Sequence, residues 1–151
     1  MTIGELLTPD RVFLDLRASD KRRLIDDLAR RAAGAAGVDA SVIAEALNAR
    51  EQLGSTGMGA GIAIPHARLP TLQRPLGFFV RLRAPMDFDA IDGDRVDLVF
   101  VLLLPAQAQG EHLNALACVA RRLRAEPVTI ALRKAQDVAD LYAVLTDRGG
   151  S

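Results

Sequence analysis

The apolar positions of this chain follow two rhythms, one of period two and one of period near 3.6. Val12, Leu14 and Leu16 alternate with Phe13 and Asp15, which predicts a first strand. Leu24, Ile25, Leu28 and Ala32 then share one face of a predicted helix, with Arg22, Arg23, Asp26, Asp27, Arg30 and Arg31 on the other side. Ser19 and Asp20 supply its cap chemistry. Asp39 is placed to cap a second helix with Ile43, Ala46 and Leu47 inward and Gly54 just past its end. Residues 61–69 read as one strand, approached through a glycine-dense turn at 54–61. Leu76, Phe78, Val80 and Leu82 alternate with Gly77, Phe79, Arg81 and Arg83, the pattern of a half-buried strand. Asp92-Gly93 marks a tight turn. Residues 98–104 are apolar throughout, as in a central strand covered on both faces. A helix is expected from about Gly110 with Leu113, Leu116, Ala117, Ala120 and Leu123 inward. Pro127 opens another, and Asp137 caps a last one with Val138, Leu141, Tyr142 and Leu145 inward. Strands and helices without strict alternation predict an α/β fold, a single domain across residues 1–151 with a mixed central β-sheet flanked by helices.

Composition narrows the function. At 151 residues the chain can bury a sizeable core, and half of its residues are apolar and a quarter charged. Nineteen basic and nineteen acidic residues cancel, so nothing draws the molecule in bulk toward nucleic acid or anionic lipid. Cys118 stands alone, which excludes an intrachain disulfide and a thiolate metal cage. The run at 98–104 is too short to span a bilayer, and the first seven residues lack the pattern of a secretion signal. A cytoplasmic protein without membrane insertion is expected.

Several motifs fail on inspection. Gly54-x4-Gly59 starts like a phosphate-binding P-loop, but Ala60 stands where the lysine belongs. Gly57-x-Gly59 has Ile62 in place of the third glycine of a dinucleotide fingerprint. Asp87, Asp89 and Asp92 are out of register for a calcium loop and read as turn residues. The two histidines form no metal motif, so neither metal nor cofactor is expected.

His66 remains. It follows Pro65, which removes a ladder donor and suits a strand end or sheet rim. The preceding glycines permit close backbone approach to a ligand, and the amides of Gly57 and Gly59 with the hydroxyls of Ser55 and Thr56 are candidate donors to phosphoryl oxygens. The same residues read equally well as a strand end and a plain loop. Arg50 lies on the apolar face of its helix, where a guanidinium meets an anion or complements the helix C-terminus. His112 falls in a first helical turn, a place suited to phosphate and equally to an ordinary surface histidine.

The run from Arg50 to His66, Arg-Glu-Gln-Leu-Gly-Ser-Thr-Gly-Met-Gly-Ala-Gly-Ile-Ala-Ile-Pro-His, resembles the phosphorylation-site signature of the enzyme IIA domains of the fructose/mannitol class of the bacterial phosphotransferase system. The nitrogen-related (PtsN-like) branch is the nearest in kind. Phe88-Asp-Ala-Ile-Asp92, Val96-Asp-Leu-Val-Phe100 and His112-Leu113 resemble later landmarks, so the likeness runs over about 6–147. It implies a mixed sheet flanked by helices, phosphorylation of His66 through Nε2, and Arg50 and His112 as its active-site partners. It also implies a relay from phosphoenolpyruvate through enzyme I and an HPr-like carrier. Regulatory targets such as potassium-transport components or sensor kinases are the expected partners. The competing expectations are a sugar-transport enzyme IIA that hands phosphate to a separate enzyme IIB, and an interaction module that takes none. Ala67 stands where many relatives have glycine, a mild change.

Overall fold

The computed structural model describes residues 1–107 and 109–147, with the backbone alone at 109 and 111–113. Its elements are α1 (Ile3–Leu6), a 3-10 turn (Pro9–Arg11), β1 (Val12–Leu16), α2 (Lys21–Ala36), α3 (Ala40–Gln52), β2 (Gly57–Gly59), β3 (Ile62–Ala63), β4 (His66–Leu69), β5 (Leu76–Met86), β6 (Val96–Pro105), α4 (Gln109–Arg124), α5 (Glu126–Lys134) and α6 (Val138–Thr146). The strands form a mixed sheet in the order β1-β5-β6-β3-β2, and β4 also pairs with β6. β1 runs parallel to β5, β3 and β4 run parallel to β6, and β5 is antiparallel to β6.

β6 organises both cores because its side chains alternate between two covered faces. From Leu98 onward the alternation is regular: Val99, Val101 and Leu103 pack with Leu24, Leu28, Ile43 and Leu47 of α2 and α3. Leu98, Phe100, Leu102 and Leu104 pack with Leu6, Ala115, Val119, Leu123, Leu132 and Leu141 on the other side. An all-apolar strand is the solution when no face meets water. Among the described residues no helix is long and apolar enough to cross a membrane.

Four local expectations are corrected. The strand expected at 61–69 is two strands, β3 and β4, broken at Ile64-Pro65 because Pro65 has no N–H to continue the ladder. The glycine-dense turn contains β2, which pairs antiparallel with β3. The turn between them puts Gly59, Ala60 and Gly61 all at positive φ (93°, 58° and 82°). For the alanine this conformation costs on the order of 1–2 kcal/mol, and the neighbourhood braces it. The Asp92 carboxylate accepts from the Ala60 amide (3.1 Å), and Arg133 donates to the Ala60 carbonyl (2.7 Å). β5 is not half-buried at its start, since Phe79 is as inaccessible as Phe78 and Val80 and packs under α-helices on the second face. α4 buries Ala115, Val119 and Leu123; Leu116 and Ala120 are only partly buried and Ala117 is exposed. Its apolar stripe is thus centred about one residue from the expected one, and Leu116 and Ala120 pack at the edge of the core while also lining a pocket.

Helix starts follow their cap residues unevenly. Asp20 accepts from the Arg23 amide (2.8 Å) and Asp137 from that of Asp140 (2.8 Å), as cap chemistry requires. Asp39 occupies the expected N-cap position, but its side chain makes no capping bond. Asp87 and Asp92 bond the amides two residues on (2.9 and 3.0 Å), the turn role that their residue type favours.

Candidate functional site

His66 opens β4, opposite Leu102 of β6. Strand parity turns it away from the core that holds Ala67 and Leu69, toward the side where Ile64 and α4 lie. Pro65 stiffens the approach, and its carbonyl accepts from the Leu102 amide (2.9 Å), so the backbone beside the imidazole is fixed to the central strand. The ring lies 2.8 Å through Nδ1 from the Ile64 carbonyl. A carbonyl only accepts, so Nδ1 carries the hydrogen and the lone pair of the neutral ring is on Nε2.

A pocket of about 240 Å³ opens at the ring, lined by Arg50, Ser55, Thr56, Gly57, Met58, Ile64, Leu116, Ala120 and Arg124. Arg50, in the last turn of α3, donates to the Gly54 carbonyl (2.8 Å) while lining this pocket and a second groove shared with Leu53, His66 and Arg68. One side chain thus both holds the loop just past the end of α3 and lines the pocket at His66. Leu53 is 84% exposed at the groove, an apolar residue offered to solvent beside a histidine.

The hydroxyls differ from the expectation that they face phosphate. Ser55 donates to the Phe88 carbonyl (2.6 Å) and accepts from the Gly57 amide (3.0 Å). Thr56 donates through its hydroxyl to Glu51, and its amide donates to the same carboxylate (3.1 Å). In this geometry both side chains and the Gly57 amide hold the loop in shape. Gly59 lies outside the His66 pocket, in a neighbouring cleft against Asp92. His112 belongs to α4 by its backbone, but its side chain lies outside the described residues.

Sequence reasoning missed Glu51 and Lys21. The Glu51 side chain is only 5% exposed and meets Lys21 at 2.9 Å, with Lys21 also 4.5 Å over the Phe88 ring. The signal available was the adjacency of Glu51 to Arg50; nothing linked either to Lys21.

Burial of the His66 ring pushes its pKa below the ordinary histidine value of 6.5, and the Arg50 charge adds to that, against the opposing pull of the Ile64 carbonyl and Glu51. The ring is therefore neutral at pH 7, the form with a nucleophilic lone pair. His66 is expected to titrate below pH 6.5 in a proton NMR titration; a midpoint above that value would contradict the burial argument. Stability depends on the same shift. An unfolded chain takes up this proton first as pH falls, so the contribution of neutral His66 is present above the unfolded value and is lost through the lower, folded one.

The family model for the phosphoenolpyruvate-dependent sugar phosphotransferase system, EIIA 2, matches residues 5–148. The chain belongs to that enzyme IIA family. It is 41% identical to a nitrogen regulatory protein of Bradyrhizobium diazoefficiens and 44% identical to one of Pseudomonas aeruginosa, each over 96% of this chain and 95% of the relative. The crystal structure of the nitrogen regulatory protein IIA-Ntr from Neisseria meningitidis superposes with a TM-score of 0.91 at 37% identity, covering 95% of this chain and 99% of that one.

Proposed function

We propose that the protein is a cytoplasmic phosphohistidine carrier of the phosphotransferase system. In this reading Nε2 of His66 accepts a phosphoryl group from an HPr-like carrier, and the phosphorylation state sets which regulatory targets the protein binds. The observation that supports it most is the imidazole itself: Nδ1–H is held by the Ile64 carbonyl, and the nucleophilic pair is on Nε2. As the donor's P–N bond breaks, its imidazole leaves with the bonding pair and the Nε2–P bond forms. No proton has to move, because Nδ1 keeps its hydrogen. Charge on the equatorial oxygens needs fixed donors. Arg50, from the last turn of α3, is a cation that lines the pocket beside His66, and Arg124 lines it from the end of α4. His112 is proposed, on family resemblance, as a second partner. Kinship with nitrogen regulatory proteins favours a regulator of nitrogen- or potassium-related targets, a potassium-transport component or a sensor kinase among them, over a step in sugar uptake.

The test is incubation with phosphoenolpyruvate, enzyme I and an HPr-like carrier, read by intact mass and by peptide mapping at alkaline pH. One acid-labile phosphoryl group on the peptide containing His66 is expected. A folded protein that stays unmodified beside a working relay would overturn the reading.

Arg50→Ala is expected to slow transfer by about 100–1000-fold, the usual cost of removing a donor that holds transition-state charge. Single-turnover quench-flow with phosphorylated carrier measures it, and a loss under about threefold would remove Arg50 from the chemistry.

A further inference from the structure

We infer that the part-buried Lys21–Glu51 pair sets the orientation of the His66 imidazole through the backbone of two intervening residues, Thr56 and Ile64, making Glu51 a positioning residue. The inference rests on the proposed role of His66 as phosphoryl acceptor.

Burying a carboxylate costs heavily unless it is paired and hydrogen-bonded. The Glu51 side chain, 5% exposed, meets three donors: Lys21 at 2.9 Å, the Thr56 amide at 3.1 Å and the Thr56 hydroxyl. Those bonds hold Thr56 by its amide and its side chain, and its carbonyl accepts from the Ile64 amide at 3.1 Å. The Ile64 carbonyl in turn accepts from His66 Nδ1–H at 2.8 Å. Each bond pins one side of a residue whose other side makes the next bond, so a shift at Glu51 reaches the ring through the backbone of Thr56 and Ile64. The neighbouring residue offers no substitute, because Pro65 has no N–H and its carbonyl is taken by Leu102.

Lys21 reinforces the same loop by a second route. Its ammonium stands 3.4 Å from the Phe88 carbonyl, which also accepts from Ser55. Adjacent loop residues are thus tied to one lysine at the start of α2. The arrangement fixes the tautomer as well as the direction of the ring, since the hydrogen bond at one nitrogen decides where the lone pair lies.

The deciding experiment compares the full-length wild type with Glu51→Gln and Lys21→Met. Transfer from a phosphorylated HPr-like carrier is followed together with the ¹⁵N spectrum of the His66 ring. Glu51→Gln should lower the maximal transfer rate by about 10–100-fold, the effect of a small misplacement of a reacting group. The carrier concentration giving half the maximal rate should not change. The ring spectrum should move from the Nδ1-protonated pattern toward a mixture of tautomers. Lys21→Met should change both readouts in the same direction, and it decides alone if Glu51→Gln does not fold. Folded variants with a wild-type ring spectrum would overturn the inference, whatever their rates. A wild type that accepts no phosphoryl group would defeat the proposed function, while the ring spectra of the variants would still decide the coupling.

Discussion

His66→Ala is expected to abolish acceptance of a phosphoryl group while leaving the fold intact. The two halves of that statement have separate physical grounds. Acceptance is lost because the imidazole supplies the nucleophilic pair, and no other described side chain in the pocket can replace it: arginine carries none, and the Ser55 and Thr56 hydroxyls already donate to Phe88 and Glu51. The fold persists because the ring is only part-buried and β4 is held by backbone pairing with β6 at Ala67, Arg68 and Leu69. Intact mass after incubation with the relay, together with circular dichroism, checks both halves. A variant that still gains an acid-labile group would place the chemistry on another residue.

Phe100→Ala is expected to destabilise the protein by about 3–5 kcal/mol. For a domain of this size that lowers the thermal midpoint by roughly 6–20 °C. Phe100 is fully inaccessible in β6, directly opposite Phe79 of β5, with the ring centroids 6.4 Å apart. Its ring also fills the space above Gly77, where a β-carbon added to the glycine would come within 2.8 Å of it. Removing the ring empties a site walled by two rigid strands, which collapse poorly around a void. Calorimetry of the purified variant measures the shift, and a fall below about 3 °C would mean that the second core repacks freely.

The sequence discloses features that a single local pattern can encode. The run at 98–104 is apolar at every position, and only a doubly covered strand explains that; β6 is such a strand. Arg50 stands out because a guanidinium on an apolar helix face has few explanations, and the structure places it at the pocket that contains His66. Other features depend on partners that local reading does not supply. Phe79 looks solvent-facing by alternation, and it is buried only because helices from distant parts of the chain cover the second face. β2 has a turn-forming composition and exists through its pairing with β3. Ser55 and Thr56 resemble donors to a ligand because their acceptors, Phe88 and Glu51, are not marked as acceptors in the sequence. Lys21 and Glu51 are ordinary surface-type residues until the fold brings them together and shields most of their side chains.

The alternation of β6 between two cores makes the chain intolerant of length changes there. Deleting one residue from the middle of this strand would send the side chains beyond it from each core into the space of the other. The frame against which His66 is registered, its position opposite Leu102, would shift by the same step. Point substitutions in β6 thus trade volume within one core, whereas an indel would exchange the cores and misplace the histidine together.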